Sequence, residues 1–282
     1  MVDGDLEEFY RYSTQKWLWN EPAQLLRRYL QFNMDALIHV AEEATGDGSI
    51  CVDVTKLPEG NSNKVFLVTM QDGKQLVVNL PNPNSGPVHY TTASEVATMQ
   101  FVRGPSTLIA AVTCTLARSL SPYHGALYRR QDVSQSESFV LDDAFAIGPI
   151  TGRAWFDNRR AEVEVPRGTS AENVLKALVK RETACLEKFS TFPRDTQQGI
   201  FGGPGGYHPT TEAKLSVLQD SLKICPHLFP RNEKLCTGVI WHNDLHMHNI
   251  FVDSENPSQI SSIIDWQGTP IYPMFLVCHH PP

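Results

Sequence analysis

The stretch 239–252 reads Val-Ile-Trp-His-Asn-Asp-Leu-His-Met-His-Asn-Ile-Phe-Val. It sets a carboxylate (Asp244), a carboxamide (Asn249) and three imidazoles (His242, His246, His248) between two short apolar runs. Polar groups at this density make a poor core, because each one buried needs a partner. They make a good site. Downstream, the strand-like run Ile260 to Ile264 ends on a second carboxylate, Asp265. Hard oxygen donors of this kind suit Mg²⁺, which is usually held by one or two carboxylates together with phosphates. One Asp is then left to orient an acceptor hydroxyl and take its proton. The histidines offer a different chemistry, since His-x3-His on a helix can bind zinc. Asn243, Asp244 and Asn249 favour a turn over a helix, and no HExxH pattern is present, so zinc ranks below magnesium.

The spacing narrows the choice. Asp244 precedes Asn249 by five positions, the interval of the protein-kinase catalytic loop, where the Asp accepts the hydroxyl proton and the Asn holds magnesium. Asp265, past the next strand, stands where a second metal-binding carboxylate would be expected. A D-x4-N pair alone carries little weight. The string His-x-Asp-Leu-His-x-x-Asn followed by a strand-borne Asp is far harder to obtain by chance.

WHNDLHMHNIFVD and SIIDWQ resemble the aminoglycoside-phosphotransferase and choline-kinase group of protein-kinase-like enzymes. RYSTQKWLWNEPAQLLRRYLQFNMDAL, LPEGNSNKVFLVTMQDGKQ, TTASEVATMQFVR and FAIGPITGRAWFD are similar to a fungal branch of that family. The likeness covers most of 9–103 and 124–282. It implies a two-lobed α+β protein-kinase-like fold, with an antiparallel-sheet N-lobe and a mainly helical C-lobe, both incomplete. It also implies ATP and Mg²⁺ as cofactors and a small-molecule hydroxyl as acceptor. Asp244 would be the base, Asn249 and Asp265 the metal ligands, and His242 a support of the loop. Gly60, in Gly60-Asn-Ser-Asn63, would lie in the nucleotide-covering loop, although an ordinary β-turn accounts for it as well. The family's mitochondrial association implies a mitochondrial location. The acidic MVDGDLEEF start shows no transit peptide, which leaves a cytoplasmic alternative.

The elements that must position these groups can be read from periodicity. Residues 21–43 carry two helical patterns, with Leu25, Leu26, Tyr29 and Leu30 on one face and Met34, Leu37, Ile38 and Ala41 on the other, the second capped by Asn33. Strands are expected over Ile50–Leu57, Lys64–Met70 and Gln75–Leu80, with Asp72-Gly73 as a tight hairpin. Thr92-Ala-Ser-Glu95 reads as a capping box opening a helix with Val96, Met99 and Val102 buried. Glu95 also stands where the resemblance places the glutamate that pairs with a strand cation. Further helices are expected from Thr169-Ser-Ala-Glu172 to about Phe189 and from Thr211 to Cys225. Trp155 reads as a core anchor, with Arg153 and Phe156 as candidates for a substrate groove. Three regions result: a helical extension 1–48, an N-lobe 49–123 and a truncated C-lobe 124–282.

Composition bounds the function. Apolar residues at 41% and charged residues at 20% describe an ordinary globular protein. Net charge is −7, from 24 basic and 31 acidic residues, with no basic stripe. Nucleic acid is therefore disfavoured as a partner. No apolar run reaches a transmembrane length. The six cysteines show no C-x-x-C pairing and read as reduced thiols.

The chain also departs from the family. The third strand should present a Lys or Arg to the phosphates, and Asn79 stands there. A neutral amide cannot supply that charge, and Lys74 sits at the hairpin. Residues 104–133 are unlike the family's hinge and read as a deletion or a misjudged splice. Few residues follow Asp265. The expectation is a shortened family member, with a catalytically impaired pseudokinase or binding protein as the alternative function.

Overall fold

In the computed structural model, residues 6–18, 20–103, 123–156, 170–189 and 209–277 are described. Residues 104–122 and Thr169, read above, lie outside them. The chain forms two compact units, Met1–Val88 and His89–Pro282.

The first unit is a sheet with a helix laid on it. Strands β1 (Cys51–Lys56), β2 (Asn63–Met70) and β3 (Gln75–Pro81) pair antiparallel in that order. The β2–β3 connection is the expected hairpin, in which Gly73 takes φ 84°, a conformation that favours glycine. Helices α1 (Glu7–Tyr10), α2 (Glu21–Arg28) and α3 (Met34–Thr45) precede the sheet. The Asn33 side chain accepts from the Ala36 amide and starts α3, as its sequence predicts. Met34, Leu37 and Ala41 of α3 then pack with Val54, Phe66, Val68 and Met70 of the sheet. The alternation of β2 is strict, so each of Phe66, Val68 and Met70 reaches this core.

The α2 expectation needs correcting. Leu25 and Leu26 are exposed, and Arg28 is the residue that turns inward. Its guanidinium bonds the carbonyl of Asn61 and the side chain of Gln24, and stacks over Trp17 at 4.5 Å. A cation whose donors are occupied and whose plane meets an aromatic ring can be buried where a bare one cannot.

The second unit mixes helices with short strands. Helix α4 (Val88–Val102) leads into it. Strands β4 (Ala126–Arg129), β5 (Phe139–Val140) and β6 (Phe145–Gly148) form an antiparallel sheet ordered β4-β6-β5. Helices α5 (Arg153–Phe156), α6 (Ala171–Lys188) and α7 (Thr211–Ile224) follow, then β7 (Gly238–Ile240), β8 (Ile250–Val252), β9 (Ile260–Ile263), β10 (Ile271–Pro273) and α8 (Met274–Val277). β7 pairs with β10, and β8 with β9. A bridge from Gly125 to Ile271 joins the β4 end to β10. A Cβ at Gly125 would fall 2.3 Å from the Gly148 carbonyl oxygen, so this approach requires glycine. Ala97, Val102, Leu127, Ile147, Ile240, Ile263, Trp266 and Ile271 make one core, drawn from α4 and five strands. Each large apolar side chain buried there contributes about 1.5–3 kcal/mol.

Two helix readings shift. α4 begins at Val88, so Thr92 and Glu95 lie inside it and form no capping box. Its buried face is Thr91, Ser94, Ala97, Thr98 and Val102, whose mostly small side chains let the helix sit close to its neighbours. α6 is capped by Ser170, whose hydroxyl accepts from the Asn173 amide. Its buried positions are Ala171, Val174, Ala177, Arg181, Cys185 and Leu186, while Leu175, Leu178 and Val179 are half-buried. Trp155 is the expected anchor: buried, donating to the Tyr272 hydroxyl at 2.7 Å and covered by Arg181 at 4.4 Å. Among the described residues, Cys185 and Cys225 are buried and Cys51 and Cys236 half-buried. No helix among the described residues is long and apolar enough to cross a membrane.

Candidate functional site

The site begins at the end of β7. Val239 and Ile240 are fully buried and anchor the strand, so the chain emerges from the core at a fixed point. His242 is itself buried, with its ring edge-on to Trp266 at 4.7 Å. The Asp244 amide donates to its Nδ1 at 3.2 Å, and its Nε2 lies 2.9 Å from the Ile264 carbonyl oxygen. A backbone N–H can only donate, so Nδ1 is the acceptor and Nε2 carries the proton. Burial holds the imidazole below its ordinary pKa and keeps it neutral, opposed in part by the bond to Ile264.

The same device recurs four residues later. The His248 amide donates to His246 Nδ1 at 3.2 Å, which makes His246 the cap of a single 3₁₀ turn, Met247–Asn249. His246 Nε2 then faces Asp244 Oδ2 at 3.4 Å. The Asp244 side chain is 61% exposed, free to meet a substrate. Asn249 is buried, and its amide nitrogen donates to the Asp244 carbonyl at 2.8 Å. That bond closes the loop on itself and leaves the carboxamide oxygen as the end available to a ligand.

The second strand pair brings Asp265 to this loop. β8 and β9 pair in antiparallel register with Ile250 opposite Ile263, and the Ile264 amide donates to the Asn249 carbonyl at 3.0 Å. Asn243 reaches over to the Gly268 carbonyl at 3.1 Å, and the Trp266 indole donates to Ile263 at 2.9 Å. Asp265 therefore sits in a turn whose flanks are pinned on both sides. Its φ is +63°, the left-handed region that Asp tolerates better than most residues. Sequence patterns gave no sign of this conformation.

Electrostatics single out the same corner. Burial pushes the Asp265 carboxyl above its ordinary pKa, with the charge of Asp244 acting in the same direction and His242 and His246 opposing. Glu95, on α4, is pushed up to about 7 by burial and by the charge of Asp265. No lysine or arginine among the described residues acts on either group. Burial leads in both shifts, and a buried carboxylate without a lysine or arginine partner is a group that a metal cation can compensate. Asp265 and the Asn249 oxygen fit Mg²⁺ by ligand chemistry. Zinc fits poorly: both ring nitrogens of His242 are committed to the loop, and among the described residues no three His, Cys, Asp or Glu side chains converge for a metal. Two open clefts elsewhere, of about 740 Å³ beside Tyr12 and Lys56 and about 760 Å³ beside Gln100 and Arg129, contain none of these groups. Volume is a weaker guide here than the donor set.

The remaining candidates lie in the first unit. Asn79 is exposed on β3, on the same side as Gln75 and Val77 and away from the core face of Leu76, Val78 and Leu80. Gly60 is exposed in the β1–β2 loop, with nothing within 4 Å of where a Cβ would stand. Lys74 is held at the hairpin by Asp47 and Asp72. The buried lysine of the sheet is Lys64, which the sequence reading passed over. Its amine bonds Glu59 at 3.2 Å, both side chains being fully buried. It points to the core side with Phe66 and is a structural ion pair.

No family model matches the chain. It is 26% identical to a subtelomeric hrmA-associated cluster protein of Aspergillus fumigatus, in each of two strains, over 82% of this chain and 61% of the relative. It is 22% identical to altered inheritance of mitochondria protein 9, mitochondrial, of Yarrowia lipolytica, over 98% of this chain and 60% of that protein. The chain thus spans about three fifths of the length of these curated relatives. These distant fungal relatives bear out the resemblance read from the sequence. Among solved structures it is similar to macrolide 2'-phosphotransferase type I, with TM-score 0.30 and 12% identity over 85% of this chain and 74% of that one. It is also similar to macrolide 2'-phosphotransferase MphH from Brachybacterium faecium, with TM-score 0.32 and 13% identity over 86% and 75% of the two chains.

Proposed function

We propose that the chain is a phosphotransferase that moves the terminal phosphoryl group of ATP to a hydroxyl of a small molecule, on a protein-kinase-like two-lobed fold. The observation that carries this is the tie between loop and strand: Ile264 accepts from His242 and donates to Asn249. Through it the backbone that carries Asp244 and Asn249 is tied to the backbone that carries Asp265. In this reading Asn249 and Asp265 hold Mg²⁺, which supplies the charge neutralisation that phosphoryl transfer needs. Asp244 orients the acceptor hydroxyl and receives its proton. His242 stays neutral and fixes where Asp244 leaves the core. Glu95 adds negative charge beside Asp265. The name of the Yarrowia relative supports a mitochondrial location.

A second reading, a pseudokinase or binding protein, is favoured by Asn79 at the strand position that should carry a cation. Hydrolysis of Mg-ATP in water separates the two. Turnover that Asp244→Asn removes supports transfer. Mg-ATP binding without such turnover supports the pseudokinase.

A further inference from the structure

We infer that His246 is the positioning residue of Asp244, an assignment that rests on the phosphotransferase reading above. Three observations converge on it. The His248 backbone N–H, at 3.2 Å, makes His246 Nδ1 an acceptor. The remaining ring proton is therefore on Nε2, which faces Asp244 Oδ2 at 3.4 Å. With Nε2 protonated, the 3.5 Å approach of the Asn249 amide nitrogen sets two donors side by side and is no competing bond. The Asp244 carboxylate is the acceptor within reach of that proton, in a contact that is not yet a formed hydrogen bond.

The consequence is directional. A carboxylate on an exposed loop can rotate, and a base that rotates loses the proximity that makes it effective. His246 engages Oδ2 and leaves Oδ1 to the acceptor hydroxyl. The contact is long for a hydrogen bond, as catalytic bonds often are before substrate arrives, and it shortens when the hydroxyl docks. In the step itself the acceptor oxygen bonds the terminal phosphorus of ATP. The bond from that phosphorus to the bridging oxygen breaks, its electron pair leaving with ADP. The hydroxyl proton passes to Asp244. His246 touches none of the reacting atoms.

His246 also caps the 3₁₀ turn, so its two roles must be separated. Glutamine places an amide N–H where Nε2 stands and lacks the cap. Asparagine keeps the cap oxygen and lacks the reach. The test uses the full chain, Mg-ATP as ligand and water as acceptor. His246→Ala and His246→Asn are expected to lower kcat for ATP hydrolysis by about 10–100-fold, part of the 10²–10⁴ that a general base supplies, with KM for Mg-ATP unchanged. His246→Gln is expected to recover most of that rate while being less stable than His246→Asn. Nitrogen-resolved NMR of the imidazoles supplies a readout independent of turnover. His246 should carry its proton on Nε2, and Asp244→Asn should move that signal and spare the one from His242.

Recovery of the rate by asparagine and not by glutamine would reduce His246 to a cap and overturn the assignment. So would a proton found on Nδ1. A wild-type chain that binds no Mg-ATP and hydrolyses none removes the phosphotransferase reading itself, and this assignment falls with it.

Discussion

His242 Nε2 donates to the carbonyl oxygen of Ile264 across 2.9 Å. One hydrogen bond therefore separates the residue two places before Asp244 from the residue immediately before Asp265. The other ring nitrogen accepts from Asp244 itself. A single buried imidazole thus sets the distance between the proposed base and the proposed metal ligand, with no charge of its own to disturb either.

Replacing it should be costly. His242→Phe keeps the contact with Trp266 but takes the ring partner from the Ile264 carbonyl and the Asp244 amide. These are part-buried groups that water reaches in part, so each costs less than the roughly 1–3 kcal/mol of a buried group left unpaired. We expect a loss of about 1–3 kcal/mol in urea denaturation. His242→Gln, which can still donate to Ile264, should lose less. Equal losses would mean that packing, and not the bond, holds the loop.

Two buried groups should oppose one another in the pH dependence of stability, so that their effects largely cancel between about 4.5 and 6.5 and each is seen when the other is removed. His124 is buried and its pKa is pushed down to about 4 from 6.5. The folded state binds the proton less readily, so its contribution is intact above 6.5 and lost as pH falls through about 4. Glu95 is pushed up to about 7 from 4.5, so its contribution is intact below 4.5 and lost as pH rises through about 7. Glu95→Gln should leave stability rising with pH from about 4 to 6.5 and stabilise the ligand-free chain at pH 8, by an amount on the order of 2 kcal/mol. His124→Phe should leave stability falling with pH from about 4.5 to 7. Denaturation curves between pH 4 and 8 read both.

The buried pair in the first unit predicts an order of damage. Glu59 is shared by Lys64 and Lys56, whereas among the described residues Glu59 is the carboxylate that pairs with Lys64. Glu59→Gln removes the charge that compensates a buried ammonium, leaving it the neutral amide oxygen and the Arg11 carbonyl, and should approach the 3–5 kcal/mol typical of a broken buried pair, about 3 kcal/mol or more. Lys64→Met should cost about half as much, because Lys56 still compensates Glu59. The reverse order in thermal unfolding would contradict this account of the pair.

Asn79 is exposed on β3, so substitution there meets no core. Asn79→Lys restores a cation where the resemblance expects one and should tighten Mg-ATP binding by about 5–30-fold, one to two kcal/mol of charge-assisted bonding. Isothermal titration measures it. An unchanged affinity would show that position 79 does not face the phosphates.

How much of this was legible in the sequence varied with the kind of signal. The strict alternation of β2, the Asp72-Gly73 hairpin and the Asn33 cap are local rules, and the structure follows them. The α2 face failed because Arg28, long enough to reach Asn61 and Trp17, competed for the interior with Leu25 and Leu26. The capping box at Thr92 failed because α4 starts a full turn earlier, and the pattern matches equally well inside a helix. In the site, residue types and spacing pointed to the loop and to Asp265. They could not show the left-handed backbone at Asp265, the tautomers of His242 and His246, or the charge coupling of Glu95 to Asp265. Each of these depends on a partner distant in the chain.

The central claim is that Asp244, Asn249 and Asp265 serve one divalent cation bound with a nucleotide, and ligand-induced stabilisation tests it most directly. Asp265→Asn keeps a side chain that accepts the +63° backbone and removes the charge. Melting the wild type and this variant with and without Mg-ATP, at about 100 times the dissociation constant, should raise the stability of the wild type by about 2.7 kcal/mol. The variant should melt at least as high without ligand and gain almost nothing with it. A wild type that Mg-ATP leaves unmoved, or a variant stabilised as much as the wild type, would contradict the claim.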